Sequence, residues 1–312
     1  MGRNIITAMI VIGVSVSGCA TESQERPVLD AATTSPSQSP EDTFRDLDDL
    51  AAALGDRSNQ FLSDCMQGQG FPQLAQAAEM RVDRQPIGQR GALMVDPLEA
   101  GPYTEAQASS FGILGLGDAF RDDEPGYVVS RSETFDTGLV ACQGSLAERA
   151  GADVLFLLQA FDELSQELRN RLVTASLGAF DELLLARFAC VRSSGYPSLT
   201  VDTQASSSDL LASVEVPEGS FQENTEASPD AFSEPADGAV VVRPPDPISV
   251  YSPSLREIAF ALTYVECGRG IDFVDRWQDA QGANLPQVLD PMVDQINVLY
   301  TEITSALEAI SP

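Results

Sequence analysis

A mainly α-helical fold, arranged as two tandem disulfide-linked helical units, follows from three features of the amino-acid sequence. Apolar residues recur at spacings of three and four along most of the chain, the period of a buried helix face. Four cysteines fall into two pairs of equal separation, Cys65 with Cys142 and Cys190 with Cys267, each 77 residues apart. An offset of 125, from Cys65 to Cys190, carries the first pair onto the second, and the flanking residues agree. Helices supply the scaffold, with room for short strands in the long loops between paired cysteines.

The first segment reads as an export signal. Arg3 supplies a positive charge, and Ile5 to Val16 is an apolar stretch too short to span a bilayer. It ends at Val16-Ser17-Gly18-Cys19, where small residues let the chain lie extended in a peptidase cleft and a thiol is open to acylation. This run looks like the lipobox of bacterial lipoproteins. The likeness implies a signal peptide over 1–18, cleavage before Cys19 and a diacylglyceryl group on its sulfur. An ordinary secretory signal with an incidental cysteine is the alternative. Residues 19–39, rich in Ser, Thr, Pro and acids, read as a disordered tether with a reach of roughly 25 Å.

The first helical unit is expected over 40–173. Ser39-Pro40-Glu41-Asp42 places a serine N-cap, a proline at the first helical position and an acid in the first turn. Phe44, Leu47, Ala51, Leu54, Phe61 and Cys65 then mark a buried face, and Gly68 and Gly70 a stop. Residues 72–131 resist helix, with Pro72, Pro86, Pro97, Pro102, Pro125 and glycines over 112–117. Helix returns over 133–150 on Phe135, Leu139, Cys142 and Leu146. It continues over 153–192, where Gly178 is expected to divide two antiparallel helices.

The second unit is expected over 174–312, with an acidic, mobile insertion at about 202–250 and a candidate strand at Val240-Val241-Val242. Ser254 and Glu257 form a capping box ahead of Ile258, Leu262 and Val265. Leu285, Leu289, Met292, Ile296, Leu299, Ile303 and Ile310 make one continuous stripe. Asp290, Asp294, Glu302 and Glu308 on its other faces mark a core helix and not a membrane span.

The repeat rests on more than cysteines. C-x4-G-[FY]-P occurs at Cys65–Pro72 and at Cys190–Pro197, and Arg131, Phe135 and Val140 align with Arg256, Phe260 and Val265. Equivalent units should make equivalent bonds, which favours Cys65–Cys142 and Cys190–Cys267; the two other connectivities stay open on sequence grounds. A four-thiolate metal site is disfavoured, because zinc sites draw on closely spaced cysteine pairs and none occurs.

Charge narrows the chemistry. All 18 basic residues are arginine, there is no histidine, and 47 acids leave a net charge of −29. A histidine triad, a histidine-ligated metal, a P-loop lysine and a Schiff-base lysine are all excluded. Nucleic acid, which needs a cationic surface, is excluded as a partner as well. Without Arg3 the chain carries 17 arginines against 47 acids, or −30. An anionic membrane surface repels such a domain, and a charge-driven partner should be cationic or bridged by divalent metal. The glycines at 112–117 lack G-x-G-x-x-G spacing and read as a turn. Asp46/Asp48/Asp49 and Asp122-Asp123-Glu124 lack calcium-loop spacing and read as solvated surface, and Trp277 reads as core. No catalytic residue, metal ligand or cofactor is assigned.

The lipobox, the tether, the twin turns and Arg256-Glu-Ile-Ala-Phe-Ala261 before Cys267 together resemble uncharacterised secreted lipoproteins of Actinobacteria. Cys65-Met66 with Gly70-Phe71 matches a turn of that group, while Val191 replaces the methionine in the second copy. The resemblance implies an envelope location and disulfides, and brings no catalytic residue. The expectation is a protein held through lipid on Cys19 at the extracytoplasmic face of the cell membrane. It would act by binding or by supporting an envelope assembly, without catalysis. The alternatives are a cell-wall glycoside hydrolase using paired carboxylates and a solute- or cation-binding lipoprotein.

Overall fold

The computed structural model describes residues 7–8, 39–79, 101–115, 126–203, 205–222, 235–243 and 250–311. Cys19, the tether ahead of Ser39 and the run Asp122-Asp123-Glu124 lie outside the described residues.

The chain is mainly helical, and its helices start where the sequence supplies caps. In α1 (Pro40–Gly68) the Ser39 hydroxyl accepts from the Asp42 amide at 3.1 Å. The buried face of α1 carries Phe44, Leu47, Leu54, Leu62 and Met66. Two short helices occupy the stretch expected to resist helix, α2 (Gln73–Glu79) and α3 (Glu105–Phe111). Their prolines do no harm, because Pro72 and Pro102 stand ahead of the first turns, and Thr104 and Gln107 close a full capping box on α3.

Helix α4 (Glu133–Ala150) begins on Ser132 and ends at Gly151, whose φ of +69° is left-handed. Helix α5 (Val154–Ser193) runs 40 residues without interruption. The expected division at Gly178 is therefore corrected. One glycine costs a helix only about 1 kcal/mol, and packing holds both sides of it. Leu157, Leu164, Leu168 and Leu172 enter one core, and Leu183, Leu184, Phe188 and Val191 enter another.

Helix α6 (Ser207–Ser213) lies inside the stretch expected to be a mobile acidic insertion, and Leu210 and Leu211 are buried in the second core. Leu210 and Leu211, immediately after the Ser206–Asp209 capping box, dock this part on the second core. Helix α7 (Leu255–Gly270) starts on Ser254. Helices α8 (Phe273–Leu289) and α9 (Val293–Ile310) are joined by a tight turn at Asp290–Met292, where Pro291 interrupts the backbone ladder. The predicted apolar stripe crosses that turn intact, buried from Leu285 to Ile310.

Short strands tie the long loops together. Strand β1 (Thr7–Ala8), inside the expected leader, pairs with β2 (Tyr127–Ser130). The other edge of β2 pairs antiparallel with β4 (Val240–Arg243), which sits where a strand was expected, with Val128 opposite Val242. Strand β3 (Ser220–Gln222) pairs with β5 (Val250–Ser252), with Phe221 opposite Tyr251.

The 125-residue offset reappears as geometry. Phe71 meets Phe135 edge-on at 5.3 Å, and their counterparts Tyr196 and Phe260 do the same at 4.9 Å. Gly70 and Gly195, with φ of +90° and +118°, make the same turn after each first cysteine. Yet each core borrows from the other half of the chain. The first gathers α1, α4 and the start of α5 with α9 from the C-terminal end. The second gathers the end of α5, α6, α7 and the start of α8, with Ala108 and Ile113 from the first long loop. No helix among the described residues is long and apolar enough to cross a membrane.

Candidate functional site

The four paired cysteines meet as the repeat predicts. Cys65 bonds Cys142 with Cα atoms 5.9 Å apart, and Cys190 bonds Cys267 at 5.6 Å. Each bridge fastens the last turn of one long helix to the middle or end of a shorter one. Two disulfides fit an oxidising compartment. Among the described residues no group of three or more Cys, Asp or Glu side chains is placed to hold a metal ion.

The second core contains two fully buried charged side chains. The capping box expected at Ser254 and Glu257 is only half made. Ser254 Oγ accepts from the Glu257 amide at 3.1 Å, but the Glu257 carboxylate turns inward and not back to its own helix start. Its Oε1 accepts from the amides of Ile113 and Leu114 at 3.0 and 3.2 Å. Its Oε2 accepts from the Gly219 amide at 3.0 Å and the Tyr251 hydroxyl at 2.6 Å. Four donors stand in for water, so the charge can stay buried without a cationic partner. Burial, then the hydrogen bond to Glu257, pushes the Tyr251 phenol well above its ordinary value. This knot fastens both long loops to α7.

Arg187 is the second. It lies on the apolar face of α5, between Leu184 and Val191, and is 1% exposed. Its Nε donates to the Tyr264 carbonyl at 2.8 Å and its Nη2 to the Pro102 carbonyl at 2.7 Å. The guanidinium lies 3.7 Å from the centre of the Tyr264 ring and 4.9 Å from that of Phe273. Glycine opens the slot. A Cβ on Gly268 would stand 2.9 Å from the guanidinium, and one on Gly101, at φ +89°, would stand 2.9 Å from the Tyr264 ring. Burial lowers the Arg187 pKa, but an arginine remains charged at neutral pH. Burial likewise raises the Tyr264 phenol, with the neighbouring guanidinium opposing.

A cleft of about 160 Å³ opens beside this group. Arg187, Val265 and Phe273 line it together with Tyr103, Arg269, Asp272 and Asp275. Arg187 and Phe273 are buried, whereas Arg269, Asp272 and Asp275 are exposed at the rim. Arg269 is also ion-paired to Glu105 at 2.8 Å. Asp272 holds a left-handed backbone, φ 52°, at the N-cap position of α8, and its side chain makes no cap hydrogen bond. Aspartate is among the few residues other than glycine that adopt left-handed backbone readily.

No protein-family model, curated protein or solved structure matches the chain.

The chain does contain its own comparison. At the 125-residue offset, Arg187 corresponds to Leu62, Arg269 to Gly144, Asp272 to Ala147 and Asp275 to Ala150. Leu62 is 2% exposed in the first core. The same helix position thus packs with an ordinary aliphatic side chain in the first copy, so the repeat itself does not require a guanidinium there. Sequence reading passed over Arg187 although a signal was present: it interrupts an apolar face at a position where the first copy has leucine. The four paired cysteines it did single out are structural.

Proposed function

We propose that this protein is a lipid-anchored extracytoplasmic binding protein, without catalysis, whose ligand-facing site is the cleft beside Arg187. One observation carries the reading. A buried cation lies against an open cleft in one copy of the repeat, while the other copy has leucine at that position and no counterpart to any rim charge. The lipobox residues Val16 to Cys19 support the anchor, and the two disulfides support the compartment. Likeness to actinobacterial lipoproteins points the same way. With a net charge near −30 the domain stands off an anionic surface on its tether, and a macromolecular partner drawn by that field is cationic or bridged by divalent metal.

The hydrolase alternative has less support. Glycoside hydrolysis uses two carboxyl groups that flank the scissile bond. Asp272 and Asp275 both stand at the N-terminal end of α8, among the exposed residues that line the cleft, and among the described residues no carboxylate lines it opposite them. Glu257 has both oxygens occupied by protein donors.

Two measurements test the proposal. The wild-type chain should partition into the detergent phase on cloud-point separation and Cys19→Ala into the aqueous phase; equal partitioning refutes the anchor. A panel of charged and neutral small solutes should raise the melting temperature of the detergent-solubilised chain. A flat response across the panel refutes the binding site.

A further inference from the structure

We infer that the cleft beside Arg187 takes a small zwitterion, a compound bearing one carboxylate and one ammonium group, such as a short α-amino acid. The inference rests on the binding reading above and names its ligand class.

Size sets the first limit. A space of about 160 Å³ compares with cavities that hold benzene, so the ligand has on the order of ten non-hydrogen atoms or fewer. Charge sets the second. Two guanidinium groups and two carboxylates line the cleft, so a simple anion would meet Asp272 and Asp275, and a simple cation would meet Arg187 and Arg269. A molecule carrying both signs answers both.

Depth sets the orientation. Arg187, which is buried, puts one cationic charge at the floor, and the exposed rim carries Asp272 and Asp275 with Arg269, whose charge is paired to Glu105. The carboxylate end therefore enters first. The N-terminal end of α8 opens at the same place, and Asp272 leaves it without a side-chain cap. The partial positive charge of a helix start adds to the attraction for a carboxylate. The ammonium end stays outward between Asp272 and Asp275, and Phe273 offers an apolar wall to the carbon skeleton.

The test is calorimetric titration of the full detergent-solubilised chain with L-alanine, L-serine and glycine betaine as zwitterions, propionate as carboxylate alone, and ethylamine as ammonium alone. At least one zwitterion should bind about tenfold or more tightly than propionate or ethylamine, the size of effect expected of a second charge-assisted contact. The double variant Asp272→Asn/Asp275→Asn should lose that advantage while binding propionate as well as before or better. Arg269→Gln should weaken the zwitterion and propionate together. All three substitutions are at exposed positions, and asparagine tolerates left-handed backbone, so unchanged melting of the unliganded variants excludes misfolding. Propionate binding as tightly as every zwitterion would overturn the inference and leave a plain anion site, with the binding reading intact. No heat from any of the probes would overturn it too, and a flat response to the wider panel would then remove the binding reading with it.

Discussion

Replacing Glu257 with glutamine keeps the shape of a fully buried side chain and removes its charge. The carboxylate receives four bonds, two on each oxygen. A glutamine has one carbonyl oxygen and one amide nitrogen, so it can serve only one of the two sides. The better orientation keeps the oxygen toward Ile113 and Leu114, whose amides can only donate. It turns the amide toward Tyr251, whose hydroxyl can reverse to accept and still receive the Gly219 amide at 2.7 Å. The loss is then two charge-assisted bonds weakened to neutral ones, at roughly 1 kcal/mol each, plus a Tyr251 proton left without its acceptor. Release of a buried charge offsets part of this. The net expectation is about 2 kcal/mol, which lowers the melting temperature by roughly 4–8 °C for a domain of this size. Glu257→Leu strands the Ile113 and Leu114 amides and the Tyr251 hydroxyl and should cost at least about 3 kcal/mol. Denaturant titration gives the magnitude, and amide hydrogen exchange locates it, with faster exchange at Ile113, Leu114 and Gly219. A glutamine variant within about 0.5 kcal/mol of wild type, with exchange at those amides unchanged, would refute the role given to this carboxylate.

Gly268→Ala places a methyl group against the Arg187 guanidinium and should destabilise the second core by about 1–3 kcal/mol; the alanine at the equivalent Gln143 should change stability by less than about 0.5 kcal/mol, and equal effects would deny the slot. Removing either disulfide as a paired Cys→Ala change opens a loop of 77 residues and should cost roughly 4 kcal/mol by chain entropy, read by denaturant midpoint; an unchanged midpoint rejects it. Tyr251 and Tyr264 have raised pKa values in the fold, so their contribution to stability is complete below about pH 10 and is lost as pH climbs through the folded-state values. Alkaline absorbance titration should show one late-titrating phenol fewer in Tyr251→Phe, and loss of an early one instead would contradict the burial.

How much was legible in the sequence varied by feature. The start of α1 was readable because Ser39, Pro40 and Asp42 are a local chemical pattern that needs no distant partner. The stripe from Leu285 to Ile310 was readable because periodicity alone reports a buried face, and it stayed continuous across the Pro291 turn. The disulfides were favoured by equal spacing in two copies. Gly178 misled, because local propensity marks a weak point, while its helix is held by two cores whose members come from both ends of the chain.

The candidate site was the least legible part. A capping-box glutamate looks like a surface residue in any window of sequence, and Arg187 stands out only as a break in an apolar face that carries leucine in the first copy. Arg187 is buried because Pro102, 85 positions earlier, brings a carbonyl over it, and Glu257 because Ile113, 144 positions earlier, brings an amide. The sequence by itself determined the helical faces, the serine N-caps and the repeat, and favoured the cysteine pairing, all of which depend on neighbours along the chain or on equal spacing. Only the tertiary structure decided which charges lie inside, because burial of a charge depends on donors and acceptors delivered by remote loops, and no local pattern records where those loops will land.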